Sequence, residues 1–144
     1  MAMSEQWLVK SVKDLDPVLK HMKELLKVGD IVLFRGEVGA GKTTLINHFA
    51  KALGIDNSNS PTFAIHNLYQ TSDVKIHHLD LYRISNEEDL ESTGLADFMA
   101  DKNSIVFIEW PERLVKSQLP RQRRVFELSI KLKNDDREIF WREV

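Results

Sequence analysis

The stretch Ile31-Val32-Leu33-Phe34-Arg35-Gly36-Glu37-Val38-Gly39-Ala40-Gly41-Lys42-Thr43-Thr44-Leu45 decides the fold. Its first four residues are continuously apolar and lie between Gly29 and Gly36, which predicts a strand buried on both faces. Residues 36–43 then match G-x-x-x-x-G-K-[ST] at every fixed position. The glycines allow successive backbone N–H groups to turn inward and form an anion nest. A helix begins near Lys42, so its unpaired N–H groups and dipole add positive potential at the same spot. Leu45, Ile46, Phe49, Ala50 and Leu53 form that helix's apolar face, and Gly54 closes it. Strand, glycine loop and helix in this order predict a phosphate cradle built from Gly36, Glu37, Val38, Gly39, Ala40, Gly41, Lys42, Thr43 and Thr44. Lys42 is expected to reach the β- and γ-phosphates of ATP, and Thr43 to offer its hydroxyl to Mg²⁺.

On the N-terminal side, Asp14-Leu15-Asp16-Pro17 reads as a helix start, with an acidic cap and proline in the first turn. Val18, Leu19, Met22, Leu25 and Leu26 continue it as one apolar stripe, which Gly29 ends. On the C-terminal side, residues 55–62 are polar and turn-rich and read as a loop. Residues 63–69 and 74–79 read as strands joined by a turn at Thr71-Ser72-Asp73. Ser85-Asn86-Glu87-Glu88 has capping-box spacing and predicts a short helix that Thr93-Gly94 interrupts. Ile105-Val106-Phe107-Ile108 is a second buried strand, and a short helix is expected from Pro111 through Lys116. Phe126, Leu128, Ile130 and Leu132 alternate with polar residues, Asn134-Asp135-Asp136 turns the chain, and residues 137–144 return. The expected architecture is α/β, a three-layer P-loop NTPase-like fold. It has a mixed central sheet and a C-terminal antiparallel hairpin, in a single domain over 1–144.

A phosphate cradle of this kind works with an acid beyond a neighbouring strand end. Asp80, after His77-His78-Leu79, and Glu109, after residues 105–108, both qualify. Asp80 is expected on the metal, with Glu109 orienting or deprotonating the attacking water or assisting the metal; a surface carboxylate is the plain alternative for each. His77 and His78 are adjacent on a strand, so they point to opposite faces and cannot chelate one ion together; both read as ordinary strand histidines. Thr62, after Ser60-Pro61, lies where P-loop proteins carry a segment that senses the γ-phosphate, although a structural turn fits equally.

Composition narrows the classes further. The chain has 144 residues, 42% hydrophobic and 29% charged, with 20 basic and 22 acidic residues and a net charge of −2. That balance calls for neither nucleic acid nor an anionic membrane. There is no cysteine, which excludes disulfides, thiolate metal sites and cysteine nucleophiles. Residues 1–6 lack the pattern of a signal peptide and no apolar run approaches a membrane span, so cytoplasm is the expected compartment. Arg121-Gln122-Arg123-Arg124 is a basic cluster, open to reading as an RNA contact or as a solvated strand entry.

With these residues quoted, the sequence resembles the TsaE family (formerly YjeE), bacterial ATPases of tRNA threonylcarbamoyladenosine synthesis. The likeness covers nearly the whole chain. It rests on GEVGAGKTTL at 36–45, SPTF at 60–63, HLDLYR at 78–83 and IEWPER at 108–113, in that order. It implies ATP and Mg²⁺ as ligands, with Lys42, Thr43, Asp80 and Glu109 on nucleotide and metal, Trp110 beside the nucleotide and Thr62 as a switch-like threonine. It also implies two partner proteins, TsaB and TsaD, the second carrying the transfer to tRNA, and an ATPase that supports their turnover.

Lys42, Glu109 and Thr62 are thus the expected catalytic residues. Arg83 and Arg113 follow the two acidic segments and are candidates to stabilise charge on the transferring phosphoryl group, or else are structural or solvated. If neither reaches it, hydrolysis by the chain alone should be slow and partner-stimulated. A small-molecule kinase and an ATP-gated interaction module without essential hydrolysis remain the alternatives. The first is disfavoured by the lack of a lid-sized insertion.

Overall fold

A computed structural model describes residues 4–55, 66–114, 119–120 and 122–144. Thr62 and the rest of 56–65, residues 115–118 and Arg121 lie outside the described residues. Seven strands form one sheet: β1 (Ser4–Val9), β2 (Ile31–Gly36), β3 (His66–Gln70), β4 (Lys75–Asp80), β5 (Ile105–Glu109), β6 (Val125–Lys133) and β7 (Asp136–Glu143). Their spatial order is β1-β7-β6-β2-β5-β4-β3. The four inner strands β6, β2, β5 and β4 are parallel, while β1, β7 and β3 are antiparallel to their neighbours.

Helices cover both faces. The alternation within β2 shows why: Val32 and Phe34 pack with Val18 and Met22 of α1 (Asp16–Leu25) and with Leu45, Ile46 and Phe49 of α2 (Lys42–Ala52). Ile31 and Leu33 pack on the opposite face with Leu90 of α3 (Glu87–Ser92) and Leu95 and Met99 of α4 (Leu95–Ala100). The unbroken apolar run 31–34 is therefore buried on both faces, which is the three-layer architecture expected from sequence. Phe107 of β5 holds the α2 layer together, its ring 5.2 Å from Phe34 and 5.5 Å from Phe49.

The structure departs from the sequence expectations at several places, first at Asp14, which lies in a 3-10 turn over Val12–Leu15 instead of capping α1, whose N-cap is Leu15. The N-terminal residues form β1, an edge strand held by its ladder to β7 and by Trp7 and Val9, which pack on the α1–α2 layer. Asn86, not Ser85, caps α3, accepting from the Asp89 N–H at 2.7 Å, while Ser85 donates to the Asp89 carboxylate. A further helix, α4, follows Gly94, whose left-handed backbone (φ +82°) separates it from α3. The helix expected from Pro111 is a 3-10 turn over Pro111–Arg113.

Candidate active site

Three strand ends converge at the carboxyl edge of the parallel strands. Gly36 ends β2; a Cβ there would lie 2.9 Å from the Ile130 carbonyl oxygen of β6, so only glycine lets the loop leave the sheet at this angle. Ala40 N–H closes a turn on the Glu37 carbonyl at 3.0 Å, and Gly41, at φ +110°, swings the chain into α2. Leu45 N–H then makes the first i→i−4 bond back to Gly41, leaving the N–H groups of Lys42, Thr43 and Thr44 at the helix mouth. Glu37 and Val38 are exposed, so any contribution to the cradle comes from their main chain.

The two acids arrive by register. Asp80 of β4 is paired with Glu109 of β5, and Glu109 with Phe34 of β2. Glu109 is 2% exposed. The Thr43 hydroxyl lies 3.0 Å from each of its carboxylate oxygens, and His78 Nε2 is 2.6 Å from Oε2. Behind His78, the Tyr69 hydroxyl sits 3.4 Å from Nδ1 and donates to Asn47 Oδ1 of α2 at 3.2 Å. A chain of polar contacts thus runs from α2 through β3 and β4 to Glu109, fixing the direction of that carboxylate.

Charge at the site is unbalanced. Lys42 is buried, donates to the Gly36 carbonyl, and holds its ammonium 3.8 Å above the centroid of the Trp110 ring. Burial lowers the Lys42 pKa, and the negative charges of Glu109, Glu112 and Asp80 work against that. Asp80 is raised above the ordinary carboxylate range by burial first and by the neighbouring Glu109 charge second. Two carboxylates pressed together beside a threonine hydroxyl are a donor set that suits a hard dication. Trp110 adopts a left-handed backbone (φ 60°, ψ 53°), sparsely populated for a bulky residue, before Pro111. Its ring packs against Tyr82 at 4.9 Å, so the pair walls one side of the cleft. A cleft of about 300 Å³ is bounded by Gly39, Lys42, Thr43, Asp80, Glu109 and Trp110, with Arg137 opposite.

A family model described as threonylcarbamoyl adenosine biosynthesis protein TsaE matches residues 9–139. The chain belongs to the TsaE family. A tRNA threonylcarbamoyladenosine biosynthesis protein TsaE of Borreliella burgdorferi is 37% identical over 85% of this chain and 88% of its own length. The Bacillus subtilis protein of the same description is 33% identical over 91% of this chain and 80% of its own. Among solved structures, the crystal structure of Bacillus subtilis YdiB superposes with a TM-score of 0.72 at 27% identity, covering 100% of this chain and 88% of that one.

The structure brings Gly36, Gly39, Ala40, Gly41, Lys42, Thr43, Thr44, Asp80, Glu109 and Trp110 of this TsaE-family chain to one edge of the sheet. Thr62 lies outside the described residues. Two residues were missed. His78 reads as a plain strand histidine, yet it is 2% exposed and touches Glu109; His77 does point to the other face, to Asp101 at 3.0 Å. Arg137 also escapes the motifs. It donates from Nε to the Ala40 carbonyl at 2.7 Å and lines the cleft, whereas Arg83 and Arg113 are exposed and do not line it. An alternation reading flags neither, because both reach the site through cross-strand register. The basic cluster is also corrected: Arg124 forks onto Asp30 at 2.9 and 2.6 Å, and Arg123 donates to the carbonyls of Gly29, Met99 and Ser104. These arginines staple the opposite end of the sheet instead of forming a solvated strand entry. Among the described residues, no helix is long and apolar enough to cross a membrane.

Proposed function

We propose that this chain binds MgATP at residues 36–44 and hydrolyses it to ADP and phosphate, as the ATPase of tRNA threonylcarbamoyladenosine synthesis. One 1–144 domain carries the whole activity. The observation that carries the reading is the contact of the Thr43 hydroxyl with both oxygens of the buried Glu109 carboxylate, at the mouth of the helix that Lys42 begins.

Lys42 and the first-turn amides of α2 hold the β- and γ-phosphates and stabilise charge that develops on them. Thr43, Asp80 and Glu109 would hold Mg²⁺, which supplies neutralisation of phosphate charge. Glu109 is aimed by His78 and orients or deprotonates the attacking water. Trp110 faces the Lys42 ammonium with its ring and keeps it beside the cleft. Arg137 is tied to Ala40, so its place is beside the loop rather than over the terminal phosphate. Hydrolysis by the chain alone is therefore slow. The partners TsaB and TsaD accelerate it, and turnover of their complex on tRNA depends on it.

Phosphate release measured with and without TsaB–TsaD and tRNA tests this. Wild type shows slow basal release that rises with the partners, and Glu109→Gln loses roughly 10²–10³ of it while still binding MgATP. Release that is fast alone and indifferent to the partners contradicts the proposal. Full modification turnover by Glu109→Gln instead favours an ATP-gated module.

A further inference from the structure

The polar contacts around Glu109 close into a ring that begins and ends on α2. The Thr43 hydroxyl donates to the Glu109 carboxylate, which meets His78 Nε2; Nδ1 of the same imidazole meets the Tyr69 hydroxyl, and that hydroxyl donates to Asn47 Oδ1. Asn47 lies four residues beyond Thr43, so the two stand one turn apart on the same face of the helix. Packing alone does not ask for these polar groups. Tyr69 is 1% exposed and belongs to the apolar layer beneath α2, where a phenylalanine ring would fill the same space. Asn47 is a poor helix former set among Leu45, Ile46 and Phe49. His78 is held at both ends of its ring, with the Tyr69 ring stacked alongside at 6.0 Å and 19°.

We propose that Tyr69 and Asn47 are positioning residues for the hydrolysis, an inference that rests on the ATP reading above. Neither touches the reacting atoms. Asn47 fixes the Tyr69 hydroxyl, the hydroxyl fixes the plane of the His78 imidazole, and the imidazole fixes the Glu109 carboxylate against the Thr43 hydroxyl. Because the ring closes on α2, the helix that carries Lys42 and Thr43 also sets where the acid points. Tyr69 brings in β3, so the ring ties the edge of the sheet to an acid two strands away. Loss of one link lets the carboxylate swing, and a small misplacement of a reacting group costs rate more than binding.

Tyr69→Phe removes one oxygen and keeps the ring. Phosphate release at saturating MgATP, measured with TsaB and TsaD present, is expected to fall about fivefold, with MgATP affinity within about twofold of wild type. Asn47→Leu is expected to do the same. A double-mutant cycle with His78→Phe separates positioning from packing. In that background Tyr69→Phe should change release by less than about twofold, because the hydroxyl acts through the imidazole. Release by Tyr69→Phe equal to that of wild type overturns the proposal. So does an undiminished loss in the His78→Phe background, which marks a packing role, or a loss of affinity that matches the loss of rate. A wild-type chain that neither binds nor hydrolyses MgATP defeats the ATP reading and this inference together. A wild-type chain that turns over beside an equally active Tyr69→Phe defeats this inference alone.

Discussion

The two ends of the parallel strands carry the same ingredients to opposite effect. At the amino end, Asp30 is 3% exposed, its carboxylate gripped by the Arg124 fork and by the Lys27 N–H at 2.8 Å. Arg124 also donates to the Leu25 carbonyl at the end of α1, and all three donor nitrogens of Arg123 go to main-chain carbonyls. The Asp30, Arg123 and Arg124 charges there are each held by hydrogen bonds within the protein. At the carboxyl end, Lys42 faces Glu109, Glu112 and Asp80, and burial, with the Glu109 charge adding to it, pushes Asp80 upward. A matched cluster is a structural lock, whereas an unmatched one is poised for a ligand.

If that contrast is right, breaking the lock costs stability and leaves binding alone. Arg124→Ala strands a buried carboxylate and should lower the unfolding free energy by about 2–3 kcal/mol, discounted because Arg124 is 39% exposed. Urea denaturation measures it, and MgATP affinity should stay within twofold.

On the open side, His78→Phe removes the group that aims Glu109. Phosphate release should fall roughly tenfold, about 1.4 kcal/mol, with MgATP affinity nearly unchanged. A loss of affinity matching the loss of rate would mean that His78 shapes the pocket and not the carboxylate.

The smallest effect is expected at a more exposed cluster beside the lock, where β4 begins. Lys75 and His77 hold Asp101 down to about 2. A depressed carboxylate adds stability above its unfolded value near 3.9 and loses it as pH falls toward 2. Asp101→Asn should therefore be less stable than wild type at pH 6, by about 1 kcal/mol or less for so accessible a pair. The gap should close between pH 4 and pH 2 in urea titrations.

The sequence made the open end legible and hid the lock. Residues 31–34 and 105–108 announce themselves because burial on both faces demands unbroken apolar runs, and their ends deliver the glycine loop and Glu109. Edge strand β1 buries only Val9 fully and Trp7 in part, so it shows no unbroken apolar run, and its ladder to β7 leaves no mark on composition. Arg123 and Arg124 look solvent-bound in a linear reading. Their partners, Asp30, Gly29, Met99 and Ser104, become neighbours only once β2, β5 and β6 align. His78 and Arg137 were hidden for the same reason.

MgATP titration of wild type against Lys42→Ala tests the contrast most directly. Lys42 supplies charge-assisted hydrogen bonds to the phosphates, so affinity should fall roughly 100-fold, about 2.7 kcal/mol, with the melting temperature within about 3 °C of wild type. Equal affinity in the two proteins would contradict the account, because the unmatched charge at the carboxyl end would then have no ligand to answer it.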